Sequence, residues 1–153
     1  MRRRLVLLGW LAGLTQVQPA QAQEPTQPHR PAAHWFTVAG SATDASADTV
    51  QVDPVAVRIE GPLKTMNVRV SRSRQRYNWE RLPYRSYESQ VLFDCSARKA
   101  SYQAATFYAQ PLWQGDPVKA VDYSGDPPPM RFLDMEPNPT QRIVRAVCRA
   151  SAG

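Results

Sequence analysis

The chain has 153 residues, enough for one domain at the usual size of about 150 residues, and this length excludes a large multidomain enzyme. Lysines and arginines number 19 against 13 acidic residues, which gives a formal net charge of +6, and 42% of the positions are apolar. Because 14 prolines stand against 7 glycines, we expect a small globular core with short or few helices.

The first 22 residues have the three parts of a secretory signal peptide. The arginines Arg2–Arg4 precede an apolar run of ten residues, Leu5–Leu14, and a small-x-small cleavage site ends at Ala22. A run of ten is too short for a bilayer core, which needs about 20 residues. We therefore expect an exported protein without a transmembrane segment, located in the periplasm, at the cell surface or in the medium. Cleavage would lower the net charge to +3, and since no cysteine follows the cleavage site, we expect no lipid anchor.

Residues 23–33 hold three prolines and no large apolar side chain. Such a segment cannot bury enough apolar surface to offset the entropy of ordering. We expect a flexible, proline-rich tail here, followed by a single domain over residues 34–153.

Runs of β-forming residues between turn signals predict about six antiparallel strands in one sheet. The runs lie at residues 34–38, 49–53, 65–79, 91–95, 99–108, 118–123 and 130–135. Whether a tight turn near Arg98 separates the fourth run from the fifth stays open, and residues 55–60 are ambiguous. Asp53, which precedes Pro54, is expected to cap a turn rather than to take part in catalysis.

The run Thr65–Trp79 has an apolar face that becomes cationic halfway along. Alternate residues of a strand share a face, and this face carries Met66, Val68, Val70, Arg72, Arg74 and Arg76. The simplest interpretation is a long strand whose second half projects beyond the core. Its three guanidinium groups would then form a row, about 6 to 7 Å apart.

From Arg72 to Arg85 the chain holds five arginines, one glutamate and three aromatic rings, a local net charge of +4. Arginine suits bidentate contact with phosphate, sulfate or carboxylate, and aromatic rings stack on sugars or guanidinium groups. The candidate ligand-binding residues, which we call the basic arm, are Arg72, Arg74, Arg76, Tyr77, Trp79, Arg81, Tyr84 and Arg85. The alternative is that these charges only protect an exposed edge strand from aggregation.

The C-terminus predicts a helix. Asn138 is a preferred N-cap, Pro139 suits the first helical position, and Gln141 suits the third. One face of the helix is then apolar, with Ile143, Val144, Val147 and Cys148, whereas Arg142, Arg145 and Arg149 point away from it.

Cys95 and Cys148 are the two cysteines of the chain. An even pair is normally bridged in an oxidising compartment, so we expect one structural disulfide. Cys95 falls on the apolar face of a strand and Cys148 on that of the helix, so the bridge would pin the helix onto the sheet. A nucleophilic cysteine is the alternative, but His29 and His34 are poorly placed to act as its base.

Sequence motifs for catalysis or metal binding are absent, including a Gly-rich phosphate loop, H-E-x-x-H, C-x-x-C and G-x-S-x-G. We expect a non-enzymatic protein with no catalytic residue, metal site or cofactor. Catalysis would gain support if the fold brought two of Asp94, Asp122 and Asp134 together in a closed cleft. Nucleic acid is not an expected partner, because an exported protein rarely meets it.

A set of motifs resembles the bacterial surface-adhesin protein E family in order and spacing. After the leader these motifs are Trp35, Val52-Asp53-Pro54, Phe93-Asp94-Cys95, Phe107-Tyr108 and Ala146-Val147-Cys148. The similarity covers nearly all of residues 34–149. It implies a small antiparallel sheet with a C-terminal helix held by a disulfide, export from a Gram-negative cell, and adhesion to host matrix proteins.

We therefore expect an α+β protein that acts by binding. The basic arm favours an acidic partner, such as a host extracellular-matrix protein, an acidic glycan or the phosphates of lipid A. The alternative is a periplasmic module that binds or inhibits another envelope protein through the open sheet face or a groove beside the helix. Because a strand that extends past its core can pair with a second copy, a homodimer is a further hypothesis.

Overall fold

The computed structural model describes residues 34–149, so the predicted leader and tail lie outside the described residues. Within this range the chain forms β1 (Phe36–Ala39), β2 (Thr49–Val52), β3 (Arg58–Glu60), β4 (Leu63–Tyr77), β5 (Pro83–Asp94), β6 (Lys99–Tyr108), a 3-10 turn (Pro111–Trp113), β7 (Pro117–Asp122) and α1 (Thr140–Arg149). The predicted α+β class, with one sheet and a C-terminal helix, is confirmed.

All strands join one antiparallel sheet in the order β1-β2-β4-β5-β6-β7, and β3 pairs with β4 off this path. A turn does separate β5 from β6. Asp94 Oδ1 accepts a hydrogen bond from the Ala97 N–H at 2.9 Å, and Arg98 closes the turn with a φ of 52°. The tight turn that the sequence left open is therefore present.

The core lies on one face of the central strands, beneath α1 and the segment that leads to it. Its apolar side chains are buried because β4, β5 and β6 direct alternate residues to this face. Among them are Val68, Val70, Val91, Phe93, Tyr102, Phe107, Phe132 and Ile143.

The last predicted strand, at residues 130–135, is wrong. Met130 N–H donates to the Ala100 carbonyl at 2.8 Å and Pro129 bridges Ser101, but the chain then leaves the edge of β6. A turn with Asp134 at a φ of 58° ends the pairing, because that conformation cannot continue a strand. Met130, Phe132 and Met135 are nevertheless buried in the core, whereas Leu133 is exposed.

Helix α1 begins where the sequence predicts. Asn138 Oδ1 accepts hydrogen bonds from the Thr140 N–H at 3.0 Å and from the Thr140 hydroxyl at 2.7 Å, which caps the helix. Ile143, Val144 and Val147 are buried against the core. The predicted N-cap and apolar face are confirmed.

Two further contacts fasten the C-terminal turn of α1. The disulfide joins Cys148 to Cys95, which directly follows β5, with their Cα atoms 5.3 Å apart. The buried Lys64 of β4 donates from Nζ to the Val147 carbonyl at 2.7 Å. This cation satisfies a carbonyl at the negative end of the helix, where a positive charge is favourable.

We expect the double substitution Cys95→Ser and Cys148→Ser to lower the free energy of unfolding by about 2 to 4 kcal/mol. The bridged residues are 53 positions apart. In the chain-entropy description, closing a loop of this length removes about 4 kcal/mol of unfolded-state entropy. Urea denaturation followed by circular dichroism measures the change. A reductant should reproduce the loss in the wild type and leave the variant unchanged, whereas an unshifted midpoint would contradict this role of the bridge.

Candidate functional site

The basic arm is formed by the C-terminal end of β4, the N-terminal end of β5 and the turn that joins them. Their ladder is regular up to Ser71, which pairs with Ser86, and resumes at Arg76. Arg72 shares the core face of β4 with Val68 and Val70 and is buried there, whereas Ser71 is buried on the opposite face, where its Oγ accepts a hydrogen bond from the Leu112 N–H at 2.9 Å. The predicted row of three projecting arginines is wrong, because Arg72 is buried, Arg74 is exposed and Arg76 is half-buried.

Arg72 is 4% exposed and connects three segments. Its Nη2 donates to the carbonyls of Leu133 and Asp134 at 3.1 and 3.4 Å, and lies 3.4 Å from Asp48 Oδ2. Asp48 also accepts from the Ser73 N–H at 2.7 Å. A buried guanidinium needs such partners, because an unpaired charge away from water is costly.

Arg85 supports the irregular part of β4 from the neighbouring strand. Its Nε donates to the Arg72 carbonyl at 3.0 Å, and its Nη2 donates to the carbonyls of Ser73 and Ala45, both at 3.1 Å. The side chain therefore satisfies carbonyls that the interrupted ladder leaves without a partner.

Arg74 and Arg81 are exposed, and neither takes part in an ion pair among the described residues. Tyr77 and Trp79 are 65% and 57% exposed. These four residues give the arm an outer surface with two cations and two rings.

Part of the arm also lines a cavity of about 550 Å³, which we call the arm cavity. Arg72, Arg76, Tyr77, Trp79 and Tyr84 belong both to the arm and to this wall. The remaining wall includes Tyr87, Tyr102, Ala105 and Phe107 from β5 and β6, and Arg131, Leu133 and Asp134 from the segment before α1. The volume falls in the range of about 300 to 1,000 Å³ that is typical of small-molecule sites.

The inner wall of the arm cavity is a cluster of aromatic rings. Tyr84 lies 5.2 Å from Phe107 and 5.6 Å from Tyr87 between ring centroids, and Trp79 packs edge-on against Tyr102 at 5.6 Å. The hydroxyls of Tyr87 and Tyr102 are hydrogen-bonded at 2.7 Å. Burial raises the pKa of both tyrosines, so these groups are neutral hydrogen-bonding groups at physiological pH.

The charge of the wall is positive. Three arginines and one aspartate line it, a net charge of +2, and Asp134 pairs with Arg76 at 3.1 Å. The Nε atoms of Arg72 and Arg76 are buried and have no hydrogen-bond partner among the described residues. This arrangement can attract and bind an anion.

A second cavity of about 640 Å³ lies between α1 and the strands β1 to β3. Its lining is mainly apolar and includes Val52, Met66, Ile143 and Val147, and we call it the helix groove. Phe36 and Ile59 line the groove and are 66% and 63% exposed.

Asp94, Asp122 and Asp134 do not form a shared catalytic cleft in the described part of the chain. Asp94 and Asp122 each accept a hydrogen bond from a nearby backbone N–H, of Ala97 and Ser124 respectively, and Asp134 pairs with an arginine. Between residues 34 and 149 there is also no cluster of three or more His, Cys, Asp or Glu side chains that would suit a metal ion.

Several of the sequence motifs have clear structural roles. Asp53 Oδ1 accepts from the Val55 N–H at 3.0 Å, so the predicted turn cap is confirmed. The guanidinium of Arg69 lies over the rings of Trp35 and Trp113, and its Cζ is 4.2 and 3.9 Å from the two ring centroids. Phe93 is fully buried. These residues stabilise the fold, which gives a structural reason for the order and spacing of the motifs.

Comparison with known families agrees with this architecture. The family model described as Surface-adhesin protein E matches residues 35–149. The chain belongs to the surface-adhesin protein E family. It is therefore a surface adhesin-like protein, and the family indicates an exported or surface location. No curated protein and no solved structure gave a significant match.

None of the helices in the described range is long and apolar enough to cross a membrane.

Sequence reasoning missed the part of this adhesin-like protein that covers the arm cavity. Arg131, Leu133 and Asp134 were placed in a strand, although the three prolines at residues 127–129 are a signal for irregular chain. Their contact with Arg72 spans about 60 residues of sequence, and no local pattern predicts such a contact.

We expect stability to fall as the pH rises above about 10, the usual pKa of tyrosine. The buried hydroxyls of Tyr87 and Tyr102 keep their protons in the folded state, whereas the unfolded chain loses them, so alkaline pH favours unfolding. Removing both hydroxyls with Tyr87→Phe and Tyr102→Phe should reduce this loss. Urea midpoints between about pH 8 and 11 measure it.

The exposed Tyr77→Phe variant is the matched control, and its alkaline loss should equal that of the wild type. An alkaline loss in the double variant as large as in the wild type would contradict the assignment.

Proposed function

We propose that this protein is an exported, non-enzymatic adhesin that contacts acidic host glycans, or matrix proteins that carry them, through the basic arm. The proposal includes a leader over residues 1–22 and a proline-rich tail over residues 23–33. The single observation that supports the binding role most strongly is the exposed outer surface of the arm. There Tyr77 and Trp79 are exposed, as are Arg74 and Arg81, so two rings and two cations are accessible within residues 74–81.

The composition of this surface argues against edge protection alone. Charged residues blunt an edge strand, but large exposed rings promote association. Guanidinium groups beside open aromatic faces are instead suited to sulfate or carboxylate groups on sugars. Family membership supports a contact of this kind, made outside the cell.

Heparin, a sulfated and carboxylated glycan, is a direct probe of the arm. The Arg74→Gln and Arg81→Gln double variant should bind immobilised heparin at least about fivefold more weakly at about 50 mM salt, because two charge contacts are lost. Wild-type binding should weaken steeply towards about 500 mM salt. Biolayer interferometry measures both effects.

The matched control is Arg145→Gln with Arg149→Gln, which removes the same charge from exposed positions on α1. These positions adjoin the disulfide, whereas the arm is at the opposite end of β4. The control should keep wild-type affinity. Equal losses in both double variants would contradict a specific role for the arm and indicate attraction by net charge alone.

A second candidate function is supported by the helix groove. Here the protein would be a module that binds an apolar segment of another envelope protein, with Phe36 and Ile59 as exposed contact residues. Leu112 and Trp113, two further apolar residues, are half-buried, and the Trp113 indole N–H donates to the Tyr87 carbonyl at 3.0 Å. The helix groove is therefore the surface that supports this alternative function.

If the groove is the binding surface, the Phe36→Ser and Ile59→Ser variant should lose an envelope partner that the wild type retains at about 500 mM salt. Apolar contacts respond little to salt, whereas the contacts of the arm do not survive it. Cross-linking on intact cells followed by mass spectrometry identifies the partner. Loss of the same partner from the Arg74→Gln and Arg81→Gln variant would contradict the groove assignment.

The homodimer hypothesis rests on the same strand as the arm. Strand β2 pairs with β4 only as far as Ser71, and β3 pairs at the other end, so in the described chain Arg76 and Tyr77 pair with β5 alone. Asp48 and Arg85 already bind backbone groups of Arg72 and Ser73, so a second copy would pair with the free side of residues 74–77.

A further inference from the structure

We propose that the arm cavity holds the acidic end of a glycan, with the anionic group of a terminal sugar directed at the guanidinium groups of Arg76 and Arg131. The inference rests on the proposed function and deepens it. The outer surface of the arm contacts the glycan chain, and the cavity receives the terminal residue.

The first step is the set of cations in the wall. Arg76 and Arg131 both line the arm cavity, and Arg76 is half-buried whereas Arg131 is exposed. Arg72 is 4% exposed, and its Nη2 is held by the Leu133 carbonyl and by Asp48. The guanidinium groups that a ligand can reach are therefore those of Arg76 and Arg131. An anion supplies the acceptors that these groups bind, whereas a cation does not.

The second step is the charge of the wall, which has three arginines and one aspartate. Arg76 pairs with Asp134 through Nη1 at 3.1 Å. Arg131, which is exposed and lines the same wall, forms no ion pair with any described residue. The field of the wall therefore selects an anion.

The third step concerns the depth of the cavity. Its rim is open, because Tyr77, Trp79 and Leu133 are 65%, 57% and 68% exposed. Its inner wall is closed, because Tyr102 and Phe107 are each 2% exposed. An internal part of a glycan chain can lie across such a rim, but only a terminal sugar can enter the cavity. This geometry favours a terminal group over a repeating internal one.

The fourth step identifies a ring as the carrier of the anion. A cavity of about 550 Å³ with aromatic walls is larger than one carboxylate side chain needs. The exposed rings of Tyr77 and Trp79 offer apolar surface to the C–H face of a sugar. The Tyr77 hydroxyl and the Gln75 amide, which also lie at the cavity wall, can bind the hydroxyls of the sugar. An acidic sugar uses all of these features, whereas an aspartate or glutamate side chain uses the cations alone.

Isothermal titration calorimetry on the exported protein tests the inference with four probes: sialyllactose, sulfated lactose, neutral lactose and a glutamate-rich peptide. We expect at least one anionic sugar to bind at least about tenfold more tightly than lactose, as the loss of one charge-assisted hydrogen bond would give. A preference between the first two probes identifies carboxylate or sulfate as the natural group. Equal affinity for lactose, or tighter binding of the peptide, would overturn the inference.

Leu133→Asp and Leu133→Asn form the matched pair for the cavity, because this exposed rim position can change without loss of core packing. The aspartate variant should bind the anionic sugar at least about fivefold more weakly than the asparagine variant, since it places a like charge at the rim. Arg76→Gln should weaken binding about tenfold. Unchanged affinity in both Leu133→Asp and Arg76→Gln would overturn the inference. Arg72 is left intact because its buried contacts support the fold.

The Arg74→Gln and Arg81→Gln variant separates this inference from the proposed function. It should lose heparin binding and keep the affinity for the short anionic sugar, because neither residue lines the cavity. If heparin binds through the arm but no short anionic sugar binds, the cavity inference fails and the proposed function stands. If neither binds, both fail.

Discussion

The buried guanidinium of Arg72 is the interaction on which the binding end of the molecule depends. It pairs with Asp48 at 3.4 Å and donates to the Leu133 carbonyl at 3.1 Å, so one side chain joins the loop before β2, strand β4 and the segment that leads to α1. Because a buried charge is tolerated only with such partners, these three segments cannot separate without a large cost. The arm cavity exists because Arg72 holds the 133–134 turn over the aromatic face of β5 and β6.

The two ends of the sheet have different tasks. At one end the disulfide from Cys95 and the hydrogen bond from Lys64 fasten α1, and the contacts there are largely satisfied within the protein. At the other end the chain exposes aromatic rings and arginines. The contacts that fasten α1 are thus concentrated at the first end and the exposed binding groups at the second, a separation that suits an adhesin-like protein.

Local patterns predicted much of this fold, because alternation, caps and turn residues act over a few positions. They were sufficient for the N-cap at Asn138, the apolar face of α1 and the pairing of the two cysteines. They failed for the arginines after Ser71, since alternation assigns a residue to a face of the strand but does not show which distant segment covers that face. The burial of Arg72 and the position of Asp134 above it follow from a contact across 62 residues, which no local pattern contains.

The central claim is that the guanidinium groups of Arg76 and Arg131 bind the anionic group of an acidic sugar. Nuclear magnetic resonance of the arginine Nε–H signals during titration with sialyllactose and sulfated lactose tests it directly. Arg85 is the internal control, because its Nε already donates to the Arg72 carbonyl. We predict shifts of the Arg76 and Arg131 signals with at least one of the two sugars, and little change at Arg85. Signals that stay in place with both sugars, or shifts confined to Arg74 and Arg81, would contradict the account.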